Sequence, residues 1–165
     1  MKKILFVCLG NICRSPGAEA VMKFRVNQKG WEEHYFIDSA GTYGGHAGAL
    51  PDVRMQKHAA KRGYVLDSRA RRFYPAADFP EFDMIVGMDD QNIDALQRMA
   101  ISEEERKKIY RMTDFCRRFT NYREIPDPYY SGSEGFELVL DLLEDAVEGL
   151  LEGMHSAIGE KDKEV

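Results

Sequence analysis

Residues 3 to 8 read KILFVC, an unbroken apolar run that Gly10 and Asn11 bring to a stop. A run this short, without polar alternation, suits a strand covered on both faces, and that confines the chain to parallel-sheet α/β architectures with helices as the covers. A helix is expected directly afterwards, from Pro16 to about Lys29, with Ala20, Val21 and Phe24 spaced along it. Pro16 suits a first helical position and Ser15 an N-cap.

The alternation then repeats. YFIDSAG (35 to 41) reads as a second strand, a glycine-rich loop runs through Gly48, and residues 51 to 63 read as a helix opened by Pro51 and closed by Gly63. Phe82 to Val86 form a third strand, Asp89 or Asp90 heads the next helix, and KKIYRM supplies a fourth strand. Thr113 to Gly132 breaks regular structure and ends in EIPDPYYSG, whose prolines favour an extended loop. From Ser133 to about Leu151, Phe136, Val139, Leu140, Leu143, Val147 and Leu150 make the apolar stripe of an amphipathic helix. The expected fold is three-layer α/β: a central four-stranded parallel sheet, helices on both faces, and a phosphate-binding loop after strand one. Residues 1–153 are expected to form a single domain and 154–165 a frayed tail.

The 165 residues carry a net charge of -5, which repels nucleic acid and anionic lipid, so neither is expected as a partner. The first apolar stretch is too short for a secretory signal, and none reaches the ~20 residues of a membrane span. A cytoplasmic location is expected, with secretion by another route left open. A monomer is expected, with weak dimerisation left open. Three cysteines, Cys8, Cys13 and Cys116, are too few and too scattered for a disulfide framework, so reduced thiols are expected.

Cys8 and Arg14 stand at a Cys-x5-Arg spacing. Alone that spacing says little, but here it spans a strand-to-helix loop, where the backbone N–H groups of residues 9 to 14 can converge on an anion, helped by the helix dipole. A cysteine at the floor of such a cradle is favoured as its thiolate, a strong nucleophile. Arg14 offers a planar fork for two phosphoryl oxygens. Ser15 can donate to the Cys8 sulfur or merely cap the helix. Cys13 is expected to trap an oxidised Cys8 as a disulfide, the alternative being a packed cysteine at a helix start.

The stretch VCLGNICRSPGAEA (7 to 20) resembles the signature loop of the low-molecular-weight protein tyrosine phosphatases, matching at Cys8, Gly10, Asn11, Ile12, Cys13, Arg14, Ser15, Pro16, Ala18 and Glu19. Gly17 departs, since a larger apolar residue is usual there. DSAGT (38 to 42), the H-x-G and D-x-R of residues 46 to 54, ARR (70 to 72), MDD (88 to 90) and DPYYSGSEGFE (127 to 137) follow in the family's order.

The resemblance implies hydrolysis of phosphotyrosine in proteins through a phosphocysteine on Cys8, with Arg14 binding phosphate and Asp127, stiffened by flanking prolines, as general acid and base. It implies a phosphate loop of Leu9, Gly10, Asn11, Ile12, Cys13 and Ser15, and an entrance rimmed by Tyr43, Tyr129 and Tyr130 together with Leu9 and Ile12. Tyr43 is the one aromatic where many members carry tryptophan. Ser68 stands where a bracing histidine is frequent, which shifts the support of Asn11 toward Ser39. Asp89 either orders the site or caps its helix. No cofactor and no metal is implied, and His34, His46, His58 and His155, which lack ligand spacing, read as surface or packing residues. Arg69, Arg71, Arg72, Arg117 and Arg118 read as solvated faces balanced by acids ahead of a phosphopeptide-attracting patch.

Rival readings remain. A protein arginine phosphatase of the same fold typically has threonine where this chain has Ile12. An arsenate reductase needs a resolving cysteine pair that the chain lacks. From other classes, a non-catalytic phosphotyrosine-binding module or a thiol redox protein would differ in how activity responds to Cys8→Ser.

Overall fold

A computed structural model describes residues 1–163, with the side chains of the last helix described as far as Ala157. Four strands, β1 (Lys2–Cys8), β2 (Tyr35–Gly41), β3 (Met84–Gly87) and β4 (Ile109–Arg111), form one sheet in the order β2-β1-β3-β4. All neighbours run parallel, with Cys8 in register with Gly41 and Val7 with Gly87. Six helices accompany them: α1 (Arg14–Gln28), α2 (Val53–Ala60), α3 (Pro75–Glu81), α4 (Asp90–Met99), α5 (Glu103–Arg106) and α6 (Ser133–Lys163).

The apolar run of β1 divides by twos. Ile4, Phe6 and Cys8 join one core with Val21 and Met22 of α1 and Leu140, Leu143 and Val147 of α6. Leu5 and Val7 join the other, with Phe73, Phe79, Phe82 and Leu96. A strand with apolar residues at every position thus buries both faces, as KILFVC predicts. The chain leaves β1 through α1 toward β2 on one side and leaves β3 through α4 toward β4 on the other. With right-handed crossovers, opposite directions put the two helices on opposite faces. The loop after β1 therefore sits where strand order diverges, the usual ligand position in such sheets.

Several expectations are corrected. Ser15 does not cap α1: the helix starts at Arg14 behind Cys13, without a side-chain cap. Pro16 falls at the third helical position, which is tolerated because N–H groups of the first turn have no intrahelical acceptor. The second helix is shorter than residues 51 to 63, because Asp52 accepts from the N–H groups of Arg54 and Met55 and starts it there. Strand three starts at Met84, since Phe82 terminates α3. Neither α3 nor α5 is foreseen by periodicity. The former opens on Pro75, and Asp78 accepts from the Tyr74 N–H. The latter is a four-residue turn capped by Ser102. The last helix runs past 153 as far as Lys163, with Met154 buried and the His155 ring stacked on Trp31 at 3.4 Å; residues 164–165 of the expected tail lie outside the described residues.

Candidate active site

The loop from Leu9 to Cys13 is pinned from several sides. The N–H groups of Thr42 and Tyr43 donate to the carbonyls of Cys8 and Leu9, and that of Asp52 donates to Ile12. The Met88 N–H donates to Val7, at the end of β1. Gly41 makes the close approach of β2 possible, because a Cβ there would lie 2.7 Å from the Leu9 carbonyl oxygen. Asn11 adopts φ 56°, a left-handed conformation that asparagine tolerates better than other residues with a side chain.

Asn11 compensates for that conformation through its amide. Its Nδ2 donates to Ser15 Oγ at 2.7 Å and Ser39 Oγ at 3.0 Å, and its Oδ1 accepts from the Arg71 N–H at 3.0 Å. Ser39 thus bonds directly to Asn11, and the hydroxyl of Ser15 lies 3.0 Å from Cys8 Sγ.

Arg14 is only 2% exposed. Its Nη1 donates to Asp89 Oδ2 at 2.6 Å and to the Ile125 carbonyl at 3.0 Å. Its Nη2 stands 3.5 Å from Asp127 Oδ2. Burial opposes the guanidinium charge, but Cys8, the Asp89 bond and Asp127 outweigh it and hold the Arg14 pKa above its ordinary value. Asp89 takes both roles considered for it, because its other oxygen accepts the Asn92 N–H in a capping box at the start of α4.

Cys8, Leu9, Gly10, Ile12, Cys13 and Arg14 line a cavity of about 250 Å³, with Tyr43, His46, Asp127, Tyr129 and Tyr130 completing its wall. Asp127 sits at the mouth, its Oδ1 accepting the Tyr129 N–H at 3.0 Å. Tyr129 and Tyr130 meet edge to face at 4.9 Å, and Tyr130 is 96% exposed. Cys13 is buried beside the nucleophile candidate, and burial, then Asp52, Cys8 and Asp127, push its thiol well above the ordinary range.

Two residues of the site escaped the sequence. His46 is part of the wall and meets Tyr43 edge to face at 6.1 Å. Its signal was the H-x-G motif next to the glycine-rich loop. Arg54 is the arginine of the D-x-R motif, which by itself gives it no role; it bonds to Asp52 and stacks over Tyr129 at 5.4 Å and Phe136 at 4.9 Å, contacts that only the fold brings about. Of the arginines read as surface charge, Arg71 pairs with Asp38 and Asp78, Arg117 with Glu152 and Arg118 with Asp145, whereas Arg69 donates to the Gly48 carbonyl. His58 pairs with Glu137 at 2.7 Å, away from the cavity. Among the described residues no cluster of His, Cys, Asp and Glu has a metal-holding arrangement, and no helix is long and apolar enough to cross a membrane.

A sulfur nucleophile at the floor, an arginine fork beside it and a carboxyl at the mouth can together transfer and hydrolyse a phosphoryl group. The family profile described as low molecular weight phosphotyrosine protein phosphatase matches residues 3–163. A Synechocystis sp. protein named for the same family is 47% identical over 149 residues, which span 90% of this chain and 94% of that one. Among solved structures, a protein tyrosine phosphatase from Entamoeba histolytica with Hepes in its active site superposes with a TM-score of 0.91 at 45% identity, covering 95% of this chain and 99% of that one. A Drosophila arginine phosphatase superposes at 0.85 with 32% identity over 93% and 98% of the two chains.

Proposed function

The chain belongs to the low molecular weight phosphotyrosine protein phosphatases, and from that premise we propose that Cys8, Arg14 and Asp127 carry out its hydrolysis of phosphotyrosine in proteins. The observation that carries the assignment is the convergence of Cys8, Arg14 and Asp127 on one cavity, with Arg14 Nη2 and Asp127 Oδ2 3.5 Å apart.

In the first step Cys8 Sγ attacks phosphorus in line with the phenolic oxygen. The S–P bond forms, the P–O bond breaks, and Asp127 gives its proton to the departing phenolate. Arg14 and the loop N–H groups hold the equatorial oxygens as their charge redistributes. In the second step Asp127 takes a proton from water, which attacks phosphorus and releases Cys8 with inorganic phosphate. Ser15, placed 3.0 Å from Cys8 Sγ, donates to the leaving sulfur. No step draws on a metal or cofactor. Tyr43, His46 and Tyr129 suit the walls to a phenyl ring.

A reducing, cytoplasmic setting belongs to the same reading and is supported by three free thiols. So does redox protection of Cys8 by Cys13, supported by their place in one cavity. The likeness to an arginine phosphatase gives the second reading its weight. Against it stands Ile12, whose apolar side chain in the cavity offers no bond to a guanidinium.

Hydrolysis of phosphotyrosine, phosphoserine and phosphoarginine peptides by the wild type, Cys8→Ser and Asp127→Asn decides between them. Phosphotyrosine is expected to be the preferred peptide, Cys8→Ser to be inactive, and Asp127→Asn to lose about 10²- to 10⁴-fold in kcat. A clear preference for phosphoarginine, or an active Cys8→Ser, overturns the assignment.

A further inference from the structure

Glu19 is 4% exposed, carries no role in the mechanism above, and lies one helical turn before Lys23 on α1. Its two carboxyl oxygens are divided. Oε1 accepts the Ser39 hydroxyl at 2.7 Å, and Oε2 accepts Lys23 Nζ at 2.8 Å. From Ser39 the bonds continue to Asn11, from Asn11 to Ser15, and from Ser15 to Cys8 Sγ.

The direction of every donor in this chain can be worked out. The Arg71 N–H must donate, so it fixes Oδ1 of Asn11 on its own side and turns Nδ2 toward the two serines. Ser39 receives a hydrogen from Asn11 and gives its own to Glu19. Ser15 also receives from Asn11, which leaves its hydroxyl hydrogen for one of two acceptors: Cys8 Sγ at 3.0 Å or the Ala40 carbonyl at 3.4 Å. Which acceptor is served depends on how firmly Asn11 is held, and its left-handed backbone makes it depend on its side-chain bonds.

We propose that Lys23 is a positioning residue that acts through Glu19, fixing the orientation of this carboxylate so that Ser39 and Asn11 hold the Ser15 hydroxyl on Cys8 Sγ. The proposal rests on Cys8 being the nucleophile. Lys23 Nζ on Oε2 fixes the turn of the carboxylate about its last torsion, which is otherwise broad, and so keeps Oε1 on Ser39. Without it Oε1 swings away and leaves the Ser39 hydrogen without an acceptor. Asn11 loosens, and the Ser15 hydroxyl turns to Ala40. Lys23 has a half-exposed side chain, so replacing it leaves no hole in the core.

The test compares Lys23→Met and Lys23→Arg with the wild type, alone and in a Ser15→Ala background. The readouts are kcat and KM on p-nitrophenyl phosphate and the rate at which neutral iodoacetamide alkylates Cys8. Lys23→Met is expected to lower kcat and the alkylation rate together by about two- to fivefold, the range of a half-exposed ion pair, with KM unchanged. Lys23→Arg restores both, and Lys23→Met has no further effect once Ser15 is alanine. Wild-type rates in Lys23→Met, a change in only one of the two readouts, no rescue by arginine, or an equal loss in the Ser15→Ala background overturns the proposal. Activity of Cys8→Ser, measured alongside, would instead remove the reading on which it rests.

Discussion

Asp89 Oδ2 accepts Arg14 Nη1 at 2.6 Å while its Oδ1 accepts the Asn92 N–H at 2.8 Å, so one carboxylate serves both the buried Arg14 and the start of α4. The two duties are separable by substitution. Asparagine caps helices as well as aspartate but brings no charge to Arg14, whereas alanine does neither. Urea unfolding should show Asp89→Ala about 1 kcal/mol less stable than Asp89→Asn. Both variants should lose kcat/KM to a similar degree, since each leaves the buried guanidinium without its nearest counter-charge.

Gly17 departs from the apolar residue usual in related chains, and the structure supplies the reason. A Cβ there would fall 2.7 Å from Met55 Cε and 3.0 Å from Leu143 Cδ1, so α2 and α6 already fill the space. Gly17→Leu alone should destabilise by about 2 kcal/mol through overpacking. Met55→Ala alone should cost about 3 kcal/mol through the cavity it leaves. The double variant should cost clearly less than the sum of the two, a coupling that a double-mutant cycle in urea measures.

Asp145 lies in α6 with its carboxyl turned to the segment ahead of the Asp127 loop, accepting the N–H groups of Arg117, Arg118 and Phe119. Burial pushes this carboxyl up, but those three bonds and the Arg118 charge outweigh it and hold its pKa below the ordinary carboxylate range. The folded value is thus lower than the unfolded one. Its contribution to stability is complete above the unfolded value of about 3.9, shrinks as pH falls past it, and is gone below the folded value. The stability gap between wild type and Asp145→Asn should therefore be wide at neutral pH and close on acidification, as thermal unfolding across a pH series would show.

Cys13 is buried with its thiol pushed up, first by burial and then by Asp52, Cys8 and Asp127. Iodoacetamide near neutral pH should therefore label Cys8 and spare Cys13. Mild peroxide should inactivate the wild type in a way that dithiothreitol reverses. Cys13→Ser should retain turnover but lose activity irreversibly, as Cys8 passes to the sulfinic acid. Full recovery of Cys13→Ser after peroxide would show that Cys13 gives no protection.

What could be read in advance follows from how locally each feature is encoded. KILFVC and YFIDSAG end at residues that the strands also end at, Cys8 and Gly41; in β1 burial on two faces leaves a continuous apolar mark, while the edge strand β2, with Phe36 exposed, is marked by the glycine that closes it. The short helices α3 and α5 leave none, for neither is long enough to show a period. Of the two roles open to Ser15, the cap is the one absent from the structure: its hydroxyl lies against Cys8 Sγ and the Asn11 amide, the second of which becomes a partner only once the loop has closed. His46 was set aside for want of ligand spacing, a criterion that speaks to metals and is silent about cavity walls. The charged composition beyond Gly153 hides what Met154 and His155 do against the body of the protein.

Position 11 asks two things of its occupant at once. The backbone at φ 56° favours glycine, while the surrounding serines and the Arg71 N–H require a side chain with two donors and an acceptor at short reach. Glycine answers the first demand alone, glutamine is a methylene too long for the second, and aspartate brings no donor. The site is therefore a bottleneck for evolutionary drift. Glycine, glutamine and aspartate each give up either the backbone conformation or the side-chain bonds that this asparagine meets together.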